Sequence, residues 1–173
     1  MMRRMNGDTV TIHTDEKYLT EIKSGATEFT ILGIPSDEFP EIPVVQEEQS
    51  ISLPQHLLKS MIDQTLFAIS TNDSKPVHTG SLFQLEDGEL RVVSVDGFRL
   101  ALRREKVSAE GSAQFIIPGK TLSEMNKLLS DEEDEETRLY LSRKHVVVQI
   151  GQYKVISRLL EGEFLDYKAA IPA

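Results

Sequence analysis

Two stretches of this chain share one local pattern, and that repetition limits the fold more than any other feature. Ile51 to Ile62 reads ISLPQHLLKSMI and Ile116 to Leu129 reads IIPGKTLSEMNKLL, each passing from apolar residues through a proline into helical spacing. The prolines, Pro54 and Pro118, stand 64 positions apart. A proline in the first helical turn costs little, because its missing N–H would lack a helical partner anyway. Ser52 with Gln55, and Thr121 with Glu124, have the spacing of capping boxes.

Strand-like segments with turn punctuation follow each helix. After the first come LFQL, the turn EDGE, LRVVSV, the turn Asp96-Gly97 and FRLALR; after the second come RLYL, Ser142 to Lys144, HVVVQI, Gly151-Gln152 and YKVISRL. Alternating polarity between glycine-bearing turns marks antiparallel hairpins. The expected unit is an incoming strand, one helix and three antiparallel strands, present twice in an α+β fold. A longer period is visible too: FTILGIPSDEF, ending at Phe39, aligns without gaps to KVISRLLEGEF, ending at Phe164. VTIHT and KYLTEIK upstream read as strands with no helix before them. The expectation is the end of one domain in residues 1–44, a whole second domain in 45–173, and a third beyond.

On the first helix Leu57, Leu58, Met61, Ile62, Ala68 and Ile69 gather on one side at about 100° per residue, with His56, Lys59 and Asp63 opposite. Phe67 falls on the polar side, so the helix should bend or end near it. On the second, Leu122, Met125, Leu128 and Leu129 form the apolar stripe, and Lys120, Ser123 and Lys127 fall away from it. Such a face is common to helices that lie on sheets, but here it is the most basic helix face of an acidic chain. Of 173 residues, 19 are Lys or Arg and 28 are Asp or Glu, a formal charge of -9. Six of those acids form the run Asp131 to Glu136, which reads as a solvated loop and lacks the spaced donors of a calcium site.

The residues offer no catalytic constellation. Cysteine is absent, which excludes disulfides, thiolate metal sites and a cysteine nucleophile and suits a reducing interior. His13, His56, His78 and His145 lack ligand spacing, and no HExxH, GxSxG, phosphate-loop or dinucleotide motif occurs. The Asp-Gly pairs at 87 and 96 read as hairpin turns. No metal or cofactor is expected. No apolar run approaches a membrane span, so a soluble cytoplasmic protein is expected. A repeated framework without chemistry suggests a scaffold or binding module.

At VSVDGFRLALR, with ISLPQHLLKSMI before it, FIIPGKTLSEMNKLL after it and EGEFLDYKAAIP at the end, the chain resembles the β subunit of bacterial DNA polymerase III, the β sliding clamp family. Asp96 to Leu100 matches the family's DGHRLA segment with Phe98 where histidine is common; EGEFLDY matches DGRFPDY with Leu165 where proline is usual. The resemblance implies the DNA-clamp fold, with helices on one face and sheets outside. It also implies a ring of two three-domain chains around duplex DNA, opened by a clamp loader and catalysing nothing. Polymerase III α subunit, other polymerases, ligase and mismatch-repair proteins would dock through a short peptide.

Carried over position by position, the central-domain wall of that docking pocket is His78, Val95, Gly97, Phe98, Arg99, Leu100, Leu165, Ala169 and Ala170. Here His78 stands where an aliphatic residue is familiar and Ala169 where a basic one is. Lys59, Lys75, Lys120 and Lys127 are the candidates to face DNA, through phosphate and so without regard to sequence. The full-length form would be a homodimer. A chain covering only part of such a protein would neither encircle DNA nor load, and would bind peptide weakly at best. The competing readings are a non-clamp interaction module and an enzyme that uses the acidic run with magnesium.

Overall fold

A computed structural model of the chain describes residues 5–39, 41 and 49–171; the basic start, the stretch around residue 44 and Pro172 lie outside them. The chain divides into two compact units, Met1–Val44 and Val45–Ala173. In the first, β1 (Thr11–Thr14), β2 (Leu19–Ser24) and β3 (Thr27–Leu32) form an antiparallel sheet in that order. Ile12, Ile22 and Phe29 lie opposite one another across it. Strand alternation therefore gathers them on one face, while Lys23 pairs with Glu21 and Glu28 on the other.

The second unit runs β4 (Gln49–Pro54), α1 (Gln55–Asp63), β5 (Gly80–Glu86), β6 (Glu89–Val95), β7 (Leu100–Lys106), then β8 (Ala113–Pro118), α2 (Gly119–Leu128), β9 (Glu136–Leu141), β10 (His145–Ile150), β11 (Tyr153–Arg158) and the short α3 (Tyr167–Ala170). Strand, helix and three strands occur twice. The sheets are ordered β11-β10-β9-β4 and β7-β6-β5-β8, so each half's incoming strand is built into the other half's sheet. Gln49 to Pro54 run against Leu141 to Glu136, and Ala113 to Pro118 against Leu85 to Gly80. Equivalent positions also stitch the sheets together. Ser52 bridges to Ser108, and Ile116, 64 positions after Ser52, accepts from Leu160 N at 2.9 Å.

Both helices start directly from a strand, because Pro54 and Pro118 hold the extended backbone that ends it (φ -59° and -56°) and no side chain caps either helix. The two expected capping boxes are therefore absent. Ser52 is in β4, where its hydroxyl accepts from Arg138 Nε at 2.9 Å; Thr121 is inside α2, bonded to the Ser157 hydroxyl, and Glu124 pairs with Lys127. Gln55 supplies the missing organisation. Its N–H donates to Glu135 O at 2.7 Å, its Nε2 donates to Glu136 O at 3.1 Å, and its Oε1 accepts from Ser130 N at 3.0 Å. The start of α1 is thus tied to the loop that leaves α2.

The first helix is shorter than its apolar stripe suggests. It stops at Asp63, where the Thr65 hydroxyl donates to Met61 O, and Ala68 lies in a separate single turn, Leu66–Ala68. Inside, Leu58 and Met61 of α1 and Leu122 and Met125 of α2 are fully buried against Ile51, Phe83, Ile117, Leu139 and Val148. Burying each such side chain contributes roughly 1.5–3 kcal/mol. Asn126 Nδ2 of α2 donates to Asp63 Oδ1 of α1 at 2.6 Å, so the helices lie together under the sheets. On its other face the second sheet carries a smaller core, where Leu82, Val93, Val95 and Ile116 are covered by Phe164 and Tyr167.

Candidate functional site: the Asp96–Arg99 turn and its cavity

β6 and β7 are joined by a turn that presents one aromatic ring wholly to solvent. Gly97 takes φ +92°, a conformation that a side chain would strain, and the chain reverses there. Asp96 Oδ1 accepts from Phe98 N at 3.0 Å and Arg99 N at 3.2 Å, while Oδ2 accepts from Arg99 Nε at 2.9 Å. The Phe98 N–H foremost, then the N–H and guanidinium of Arg99, hold the Asp96 carboxyl below its ordinary range, against a smaller opposing effect of burial. Phe98 and Arg99 therefore belong to the turn, where FRLALR had suggested strand. Phe98 is 99% exposed. The Arg99 guanidinium lies 5.8 Å from the ring centroid of Phe67, within cation–π range.

Beside the turn is a cavity of about 470 Å³, lined by His78, Val95, Asp96, Gly97, Phe98 and Leu165 together with Lys75 and with Ser70, Thr71, Asn72 and Ser74 of the polar strap that runs from Ser70 to Ser74. Five of the nine expected docking residues thus meet at one cavity. Leu100 packs underneath with the smaller core, and Arg99 stands outside the lining on Phe67. Ala169 and Ala170 lie exposed on α3 and are not among the lining residues. His78 meets Phe164 edge to face at 5.3 Å, and burial, reinforced by Lys75, pushes its imidazole below the ordinary value. Lys75, expected to face DNA, is also among the residues that line this cavity. Sequence reading also missed Phe67 as a partner of Arg99 and the strap as a wall; a polar run such as Thr71-Asn72-Asp73-Ser74 reads only as a loop.

An apolar wall, one ammonium and a free ring can receive an aliphatic or aromatic side chain with a carboxylate near it, since the one carboxylate of the lining, Asp96, is already engaged by Arg99. The helix lysines differ among themselves. Lys59 is held by Asp131 at 2.6 Å with its side chain 23% exposed, and Lys127 pairs with Glu124 at 2.8 Å. Lys120 is exposed and without an ion pair among the described residues. All three leave their helices away from the buried stripes.

The family model described as "DNA polymerase III beta subunit, central domain" matches residues 52–166. The beta sliding clamp of Staphylococcus epidermidis is 37% identical over 173 residues, 99% of this chain and 46% of the relative. The crystal structure of the DNA polymerase sliding clamp from Bacillus subtilis aligns with a TM-score of 0.80 at 36% identity, over 98% of this chain and 45% of that one. The DNA polymerase III beta subunit of Thermotoga maritima also gives 0.80, at 27% identity, over 99% and 47%. The chain therefore spans a little under half the length of the relatives it matches. The matched stretch contains both halves of the larger unit and the Asp96–Arg99 turn, and on that extent of agreement the chain belongs to the DNA polymerase III beta subunit, central-domain family.

Proposed function

We propose that this chain supplies the central-domain part of a sliding clamp, a non-catalytic ring that encircles duplex DNA and tethers replication proteins to it. The observation that carries this reading is the Asp96–Arg99 turn, which fixes an exposed Phe98 and a flanking cation beside a cavity with one apolar wall. Such a site gains affinity by burying one or two anchors of a short peptide. The partners are the polymerase III α subunit, the clamp loader, other polymerases, ligase and mismatch-repair proteins, and the whole protein works as a homodimer in the bacterial cytoplasm at the nucleoid. Lys59, Lys120 and Lys127 face the duplex and touch phosphate loosely. A closed ring is kept on DNA by its topology, so weak contacts that permit sliding are sufficient. Tethering keeps the polymerase at high effective concentration near the primer end.

The test is a chimera of the Bacillus subtilis clamp in which residues 1–171 replace the matching part. With polymerase and loader on a primed circular template, its products should be as long as those of the parent clamp. A chimera that is folded and dimeric, yet gives only the short products seen without a clamp, would overturn the reading.

A further inference from the structure

One wall of the cavity beside the Asp96–Arg99 turn can change its charge. His78 lines it from the single turn Pro76–Thr79. The backbone holds that turn in place: His78 N donates to Lys75 O at 3.0 Å, and Ser70 N donates to His78 O at 2.7 Å. Phe164 meets the imidazole edge to face, with ring centroids 5.3 Å apart. The imidazole makes no hydrogen bond among the described residues, and its nitrogens are not sealed from solvent.

The charges around His78 leave room for an anion. From its own segment comes Lys75, exposed and without an ion pair among the described residues; Asp73 of the strap is exposed and outside the lining. From the turn between β6 and β7 comes Asp96, whose carboxylate is already engaged by the N–H and guanidinium of Arg99. The segment at Phe164 brings Leu165 to the lining, whereas Glu163 and Asp166 on either side are exposed and outside it. β5 packs on the turn with uncharged Gly80, Ser81 and Leu82, and its Glu86, at the far end, is held by Arg91. The start of α2 approaches Thr79 through Gly119, and the Lys120 that follows is exposed and outside the lining. The cavity thus has a free ammonium and a titratable ring but no free carboxylate of its own.

Burial first, then the charge of Lys75, holds the imidazole below its ordinary value. An apolar anchor seated alone adds to that burial. A carboxylate arriving beside the anchor does the opposite, because it pairs with the imidazolium and offsets Lys75.

We propose that His78 sets the specificity of this site: with Lys75 it receives a partner segment that carries a carboxylate beside its apolar anchor, and the segment docks with uptake of one solvent proton by the imidazole. This rests on the reading of the cavity as a peptide-docking site, and adds to it a chemical preference and a pH dependence. By linkage, affinity for the acidic segment rises as pH falls, while affinity for a neutral one falls.

The probes are two peptides blocked at both ends, alike except for an Asp or an Asn beside a Leu-Phe pair, titrated into the full chain by anisotropy. A range of about pH 8 to about pH 6 keeps the peptide carboxylate ionised. The Asp peptide should bind about threefold tighter at the acid end of that range, and the Asn peptide more weakly there than at the alkaline end. The His78 ring protons, assigned by their absence in His78→Leu, should titrate at higher pH with the Asp peptide bound than without it. His78→Leu should give both peptides one flat profile, and Lys75→Gln, at an exposed position, should cut the preference for Asp over Asn about threefold. Thermal melts at each pH check the fold.

If parent chain binds both peptides with one pH profile, or His78→Leu keeps the profile of the Asp peptide, the proposal is overturned and docking stands. If neither peptide binds, or binding is indifferent to Phe98→Ser, the docking reading falls and the proposal with it.

Discussion

Asp96 and Arg99 close on each other through three hydrogen bonds: carboxylate to the Arg99 N–H, carboxylate to its guanidinium, and Asp96 N to Arg99 O at 3.3 Å. That clasp sets where Phe98 points. Asp96→Ala frees the Phe98 and Arg99 amides and lets the turn sample other shapes. Affinity for a Leu-Phe-ended clamp-binding peptide should fall about tenfold, or ~1.4 kcal/mol. The melting temperature should move by only a few degrees, since the turn lies outside both cores, and anisotropy with parallel thermal melts checks the pair of outcomes.

His78 gives the fold an acid limit. Its imidazole titrates below the ordinary 6.5 because burial beside Phe164, with Lys75 near, disfavours the cation. Above that value the group is neutral folded and unfolded and changes nothing. As pH falls below it the unfolded chain takes up the proton first, so stability is lost progressively down to the lower folded value. Thermal melts from pH 8 to pH 5, on the order of that window, should show a fall that His78→Leu reduces.

Gly119 and Gly97 are both glycines of necessity, for different reasons. A Cβ at Gly119 would meet Thr79 O at 2.9 Å and the Ile69 Cδ1 methyl, so Gly119→Ala forces the start of α2 away from Ile69 and Thr79. It should cost about 1–3 kcal/mol, as overpacking does. At Gly97 there is open space but φ is +92°, so Gly97→Ala costs about 1–2 kcal/mol through backbone strain alone. Denaturant melts rank them, and only Gly119→Ala should perturb the amides of Ile69 and Thr79.

Lys59 is engaged by Asp131 from the acidic loop, whose carboxylate side chain is 83% exposed. An ion pair so open to water contributes at most about 1 kcal/mol. Asp131→Asn should therefore leave stability nearly unchanged while freeing the ammonium. Under the proposed orientation, the affinity of an assembled ring for duplex DNA at low salt should rise two- to threefold, and the slope of log affinity against log salt should steepen by about one. Filter binding at several salt concentrations reads both.

The repeat was legible because its period is carried by hydrophobic spacing: Leu58 and Leu122, and Met61 and Met125, are equivalent and equally buried. The exchange of β4 and β8 between sheets was not, since a six-residue strand pattern fixes which face is apolar but not which edge it joins. The capping boxes failed for a related reason. Ser52 and Thr121 have the right spacing, but the prolines deliver the chain into each helix in extended form and leave those hydroxyls to Arg138 and Ser157. The turn of the candidate site was visible as Asp-Gly, whereas its surroundings come from remote segments. Phe67 under Arg99, and Lys75, His78, Val95 and Leu165 around one cavity, are brought together only by the fold. Ala169 and Ala170, placed by family position, lie on α3 and are not among the residues that line the cavity.

The most direct test of the account is to titrate the full chain with a Leu-Phe-ended clamp-binding peptide while recording amide shifts. Saturable changes should centre on Val95, Gly97, Phe98 and Leu165, and Phe98→Ser should weaken binding about tenfold without altering the melting temperature. Shifts confined to other parts of the surface, or an affinity indifferent to Phe98, would contradict it.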